Sequence, residues 1–213
     1  MKHLKLFESF EDIDSICKKY KIRNYTINND GTVDVNGDVS LTGDGLSKLP
    51  LKFGKVTGNF DCSRNQLISL EGAPKEVYGD FYCYNNQLKT LKGSPSYIGR
   101  DFVCTGNQLT TLEGAPSHVG DLFDCSNNKL VTLEGAPIEV GFNADMESET
   151  EYFDCENNPI YQIYILFPNR KSFMNSLDYN YLRGTDIVKM RFREACEEAG
   201  IKMPKKIQGY NYI

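Results

Sequence analysis

The sequence predicts an α/β-type solenoid. In this fold short parallel strands line a concave sheet of a right-handed coil, extended returns form its convex side, and a cap closes each end. Three observations carry that expectation. Cys62, Cys83, Cys104 and Cys125 recur every 21 residues, each preceded at two positions by Phe60, Phe81, Phe102 or Phe123. Asn65, Asn86, Asn107 and Asn128 keep the same interval, as do Leu67, Leu88, Leu109 and Leu130. Each copy then runs through Gly-Ala-Pro, or once Gly-Ser-Pro, ending on Pro74, Pro95, Pro116 and Pro137.

Residues 1–36 read as an N-terminal cap. Leu4, Phe7, Phe10, Ile13, Ile16 and Cys17 share one side of a helix over 1–22. Tyr25–Ile27 and Val33–Val35 alternate around Asn29-Asp30-Gly31, a hairpin signal. Residues 37–160 hold about six coils. In each, F-x-C puts two apolar side chains on one side of a short strand. The Asn that follows sits at a turn, where a buried amide serves backbone groups that no regular ladder reaches. Proline then fixes an extended return, because it sets its own φ and biases its predecessor away from helix. A degenerate first copy uses Leu41, Asp44, Leu46, Leu49 and Val56. The last, on Phe153, Cys155, Asn158 and Ile160, follows an acidic insertion near 142–151. Residues 161–213 read as a helical C-terminal cap, with helices over 169–182 and 185–199. Val188, Phe192, Ala195, Cys196 and Ala199 form the apolar stripe of the second, and Gly200 and Pro204 end it.

The unit F-x-C-x-x-N-x-L resembles the L-x-L-x-x-N-x-L signature of the leucine-rich-repeat family, with Phe and Cys in two apolar slots. The resemblance covers about residues 37–160, and the 21-residue length and Pro-bearing return are similar to the short bacterial-type repeats of secreted effectors. It implies a general binding scaffold and leaves the partner open. The ligase domain that follows such repeats in some effectors does not fit in the remaining 50-odd residues. The opening M-K-x-L-x-L-F-E-S-F resembles N-termini of proteins of large tailed bacteriophages, which implies a phage protein acting on a host factor. Leu6-Phe7-Glu8 is similar to prohead-protease cleavage sites, which implies a virion-internal structural protein processed near its N-terminus.

Charge and composition narrow the classes. The formal net charge is −5. Residues 1–159 carry 15 basic and 24 acidic side chains, a balance of −9, and residues 160–213 carry 9 and 5, a balance of +4. An acidic chain argues against nucleic acid as partner, since phosphate binding needs a basic surface. The basic C-terminal segment, with Arg191, Arg193, Tyr210 and Tyr212 among its residues, carries the alternative of a nucleic-acid binder or enzyme there. No apolar run reaches the roughly 20 residues of a membrane span, and Lys5 and Glu8 break any secretory signal. Seven cysteines without close Cys pairs read as inert, reduced core thiols in a cytoplasmic protein, in the host cytoplasm if phage-encoded. No metal or cofactor is expected. Only His3 and His118 are available as histidine bases, neither beside a nucleophile, so the chain is expected not to be an enzyme.

The function expected is protein binding on the concave face. Positions alternating with the inward Phe and Cys project outward there: Asn59, Asp61, Asp80, Tyr82, Tyr84, Asp101, Val103, Leu122 and Asp124. Aromatic anchors inside a charged rim suit a protein partner. Asp145, Glu147, Glu149 and Glu151, at every second residue of the insertion, form a second acidic candidate for a cation or a basic partner. The oligomeric state is open.

Overall fold

The computed structural model describes residues 13–141, 153–166, 182–183, 186–187, 189–208 and 210–213. The repeats form a β-solenoid of stacked parallel strands with few helices. Each coil supplies two very short strands, which build two sheets. The phenylalanine sheet has six strands in the order Phe153–Asp154, Phe123–Asp124, Phe102–Val103, Phe81–Tyr82, Phe60–Asp61 and Val39–Ser40. All are parallel, with Phe60 opposite Phe81, Phe81 opposite Phe102 and Phe123 opposite Phe153. Every strand therefore meets its neighbour one whole repeat away, and the insertion before Phe153 leaves the register intact.

The returns are not merely extended. They hold the second sheet, which runs from Tyr25–Ile27 through Val33–Val35, Phe53–Val56, Glu76–Val77, Tyr97–Ile98 and His118–Val119 to Glu139–Val140. This corrects the expectation of one sheet. The physical reason lies in stacking: an extended return beside an identical return has unpaired N–H and C=O groups facing each other, and they close a ladder. Three residues separate the two strands of a coil, as in Tyr78-Gly79-Asp80 between Val77 and Phe81. Gly79 makes this corner possible, because a Cβ there would lie 2.1 Å from Asn59 Oδ1 of the preceding coil.

The core lies between the sheets. Phe60, Phe81, Phe102 and Phe123 are fully buried, with Cys62, Cys83, Cys104 and Cys125 beside them. Successive rings stack nearly parallel at 5.4, 5.4 and 5.3 Å, and Phe123 meets Phe153 at 5.4 Å. Burying each such side chain contributes about 1.5–3 kcal/mol. Leu67, Leu70, Leu88, Leu91, Leu109, Leu112, Leu130 and Leu133 complete the interior.

The asparagine column does what its position demands. Asn86 Nδ2 donates to the carbonyl oxygens of Cys62 and Cys83, both at 3.1 Å, while its Oδ1 accepts from Leu67 N at 2.9 Å. Asn65, Asn107, Asn128 and Asn158 repeat the pattern. Asp44 occupies this slot in the first copy and is exposed instead. A carboxylate cannot donate to those carbonyls, so the ladder starts at Asn65.

At the N-terminal end, residues 13–19 are helical and Cys17 is buried. Tyr25–Ile27 pairs antiparallel with Val33–Val35, which in turn pairs parallel with Phe53–Val56. Near the C-terminus the expected helix over 185–199 is shorter, Lys189–Glu198, with Phe192, Ala195 and Cys196 buried. Its end is a left-handed Gly200 at φ 68°, with Ile201 N donating to Cys196 O and Gly200 N to Glu197 O. Asp186–Ile187, expected as helix, is a strand that pairs antiparallel with Leu182–Arg183 and parallel with Asn211–Tyr212. A partner strand some 25 residues away in sequence overrode a helical pattern that was weak at its start. Most of the expected helix over 169–182 lies outside the described residues. Tyr210 OH donates to Val131 O at 3.1 Å, tying the C-terminal segment to the repeats.

Candidate partner-binding face

The nine residues expected to project from the strands fall into three columns. Asn59, Asp80, Asp101 and Leu122 stand at the corner, one residue before each Phe. The second column, one residue after each Phe, runs Asp61, Tyr82, Val103, Asp124 and Asp154. Tyr84 belongs to a third, with Ser63, Thr105, Ser126 and Glu156.

The polar members of the corner column, Asn59, Asp80 and Asp101, are turned to the backbone rather than outward. Asn59 Oδ1 accepts from Asp80 N at 2.9 Å, Asp80 Oδ1 from Asp101 N at 3.2 Å, and Asp101 Oδ1 from Leu122 N at 3.1 Å. Asp80 is only 5% exposed, which corrects its assignment to the outer face. The corner N–H groups are outside both sheet ladders, and a short side-chain acceptor one coil back satisfies them. Arg100 Nε lies 3.8 Å from a carboxylate oxygen of Asp80 and of Asp121.

The outer face of the phenylalanine sheet is carried by the second column and by Tyr84, Thr105 and Glu156 of the third, with Ser63 and Ser126 buried beneath. Tyr82 and Tyr84 are half-buried, with ring centroids 6.2 Å apart at 71°. Burial pushes the Tyr82 phenol up to about 12, helped by the Asp80 carboxylate, so it is a neutral hydrogen-bonding group at physiological pH. Val103, together with Leu122 from the corner column, continues the apolar strip, and both are half-buried. Asp61 Oδ1 accepts from Ser63 N at 2.9 Å and from the Ser63 hydroxyl at 2.6 Å. Asp124 Oδ1 accepts from Ser126 N, and Asp154 Oδ1 from Glu156 N, both at 2.8 Å. Burial raises the Asp124 carboxyl above its ordinary range and the neighbouring Asp154 adds to this, while the Ser126 hydrogen bonds oppose both.

Sequence reasoning missed Arg64, whose guanidinium lies 5.6 Å from the Tyr84 ring centroid. Arg64 shares a left-handed slot with Asn85, Gly106, Asn127 and Asn157. The 21-residue spacing could have found it: an Arg stands where other copies carry Gly or Asn, the residues that tolerate that conformation.

The other candidates fall elsewhere. Asp145, Glu147, Glu149 and Glu151 lie outside the described residues, as do His3 and Leu6-Phe7-Glu8. His118 is on the return sheet, its Nε2 3.3 Å from a Glu139 carboxylate oxygen. Burial raises the thiols of Cys83, Cys104 and Cys125 well above their ordinary value, which keeps them protonated. Among the described residues no cluster of three or more His, Cys, Asp or Glu is placed to hold a metal ion, and no helix is long and apolar enough to cross a membrane. No protein-family model matches the chain, and neither a curated protein nor a solved structure matches it.

Proposed function

We propose that this protein is a non-catalytic binding module of the leucine-rich-repeat type that takes a protein partner on the outer, concave face of its phenylalanine sheet. The observation that carries the reading is the Tyr82–Tyr84 pair, two half-buried rings in edge-to-face contact beside Val103, with Asp61 and Asp124 flanking them in the same sheet. Tyrosines supply large contact area with little side-chain entropy to lose, and a charged rim adds selectivity. The asparagine ladder beneath supports the family reading, since it fills the Asn slot of the F-x-C-x-x-N-x-L unit in five coils. A rigid scaffold of this kind presents its face without reordering on binding.

Buried, free cysteines support a reducing, cytoplasmic setting. The phage-like opening residues would make the partner a host factor.

The test is affinity capture from cell lysate with wild type and a Tyr82→Ala/Tyr84→Ala variant, each first shown to be folded by circular dichroism. A partner retained by wild type and lost by the variant is the expected result. A partner held equally by both would sink the assignment of this face.

A further inference from the structure

We propose that the occupant of the phenylalanine-sheet face is a cationic protein segment, whose Lys or Arg side chains sit on the Asp124–Asp154 pair and against the Tyr82–Tyr84 rings. The proposal rests on the reading of that face as a binding surface and adds the chemistry of what binds.

The argument comes from the register. A 21-residue repeat places each side chain beside the one 21 residues later. Elsewhere in the solenoid, several such neighbours form ion pairs. Lys55 Nζ meets Glu76 at 2.9 Å, Lys92 Nζ meets Glu113 at 2.9 Å, and Arg100 Nε lies 3.8 Å from Asp121. On the phenylalanine-sheet face, one pair of neighbours is like-charged and has no basic partner among the described residues. Asp124 is in direct register with Asp154, two carboxylates on neighbouring strands. Like charges so placed repel. The column that contains them, from Asp61 through Tyr82 and Val103, has no basic residue. Among the described residues, none of the ion pairs involves Asp61, Asp124, Asp154 or Glu156.

Hydrogen bonding within the chain offsets this repulsion only in part, because it brings no counter-charge. Ser126 N and Glu156 N each engage one oxygen of Asp124 and Asp154, which orients the carboxylates without neutralising them. A cation on the outer face does both, and it relieves the cost of holding Asp124 charged while half-buried. The rings beside the acids are suited to the same chemistry. Arg64 already lies over Tyr84 at 5.6 Å, so the chain itself supplies one guanidinium–tyrosine contact on this surface. A phosphate-bearing partner is repelled by the same acids, which leaves a basic protein segment as the complement.

Fluorescence anisotropy tests this with two labelled probes, an Arg-Gly-Gly repeat peptide and a Glu-Gly-Gly repeat peptide of equal length. Wild type is expected to bind the first and not the second. Asp124→Asn/Asp154→Asn keeps the Oδ1 acceptor for each backbone N–H, so the coil is preserved, and it should weaken the basic peptide by roughly fivefold or more. Glu76→Gln/Glu139→Gln removes the same two charges from the other sheet and should change binding by less than about twofold. Equal losses from the two variants, or no preference for the basic peptide, would overturn the proposal. Displacement of the peptide by magnesium chloride beyond that by sodium chloride of equal ionic strength would also overturn it, in favour of a small-cation site. If Tyr82→Ala/Tyr84→Ala abolishes partner capture while Asp124→Asn/Asp154→Asn leaves the basic peptide unaffected, the face stands as a binding surface and the cationic occupant is discarded.

Discussion

Asn107 hydrogen-bonds to Cys83 in the coil before its own, with Nδ2 3.0 Å from that carbonyl oxygen and an equal distance from Cys104 O. Its Oδ1 accepts from Leu88 N at 3.0 Å. One side chain thus joins two coils at a turn that neither sheet ladder reaches. Asn107→Ala leaves the buried Leu88 N–H without its acceptor and takes one of two amide donors from each of Cys83 O and Cys104 O, and equilibrium urea unfolding should show a loss of about 1–3 kcal/mol. Asn107→Asp should be destabilised to a similar degree at neutral pH, because a carboxylate accepts but cannot donate. A loss under about 0.5 kcal/mol for both would mean water replaces the amide.

The glycine of the Gly-Ala-Pro return is under tighter constraint than an ordinary turn glycine. Gly114 has φ 88°, and a Cβ there would fall 2.5 Å from Lys92 N and 2.7 Å from Leu91 C of the preceding coil. Gly31, at φ 79°, has nothing within 4 Å of its Cβ position. Gly31→Ala should therefore lose about 1–2 kcal/mol from backbone strain alone. Gly114→Ala adds an overlap with backbone that cannot rotate away, and should lose at least about 3 kcal/mol in the same unfolding assay.

The Asp124 carboxyl gives a pH signature. Its folded-state pKa is raised, by burial first and by Asp154 second. The folded protein thus holds that proton more tightly than the unfolded chain, so this group lowers stability as pH rises through its folded pKa, and the penalty is fully present above it. Asp124→Asn, which keeps an acceptor for Ser126 N, should melt at a higher temperature than wild type at pH 7. The difference should shrink as pH falls below the ordinary carboxylate range. An unchanged melting temperature at pH 7 would show that the Ser126 hydrogen bonds offset the burial.

The cysteine column should be chemically silent in the native state. All seven thiols are free and buried, and burial raises each of them. Iodoacetamide at mildly alkaline pH should leave the native protein unlabelled by mass spectrometry, and in denaturant all seven should react. Fast native labelling at Cys83 or Cys104, the innermost of the column, would contradict the packing between the sheets.

Much of the architecture is readable from residue spacing because the solenoid is nearly one-dimensional. Once Phe and Cys recur at a fixed interval, stacking puts Phe60 on Phe81 and Phe81 on Phe102, and the slots of the core follow. The asparagine role is equally legible, since a polar side chain in an otherwise apolar period must find backbone partners. The second sheet was not. Its last four strands, from Glu76–Val77 to Glu139–Val140, are two residues long, and their ladder bonds go to residues 21 positions away. Nothing in a window that short separates a strand from an extended return. Asp186–Ile187 was misread for a related reason, its partner Asn211–Tyr212 being remote in sequence.

The amino-acid sequence by itself determined the repeat length, the identity of the inward slots and the polar side chain at the turn, because each of these depends on periodicity and on whether a group tolerates burial. Tertiary structure decided which outward polar residues remain available to a partner. Asp80 and Tyr82 are two positions apart and both alternate with buried residues, yet Asp80 is bound to the Asp101 backbone while Tyr82 stays on the face. Whether an acceptor turns to solvent or to the chain depends on an unsatisfied N–H brought beside it by the next coil. That N–H takes its place only when the coils stack.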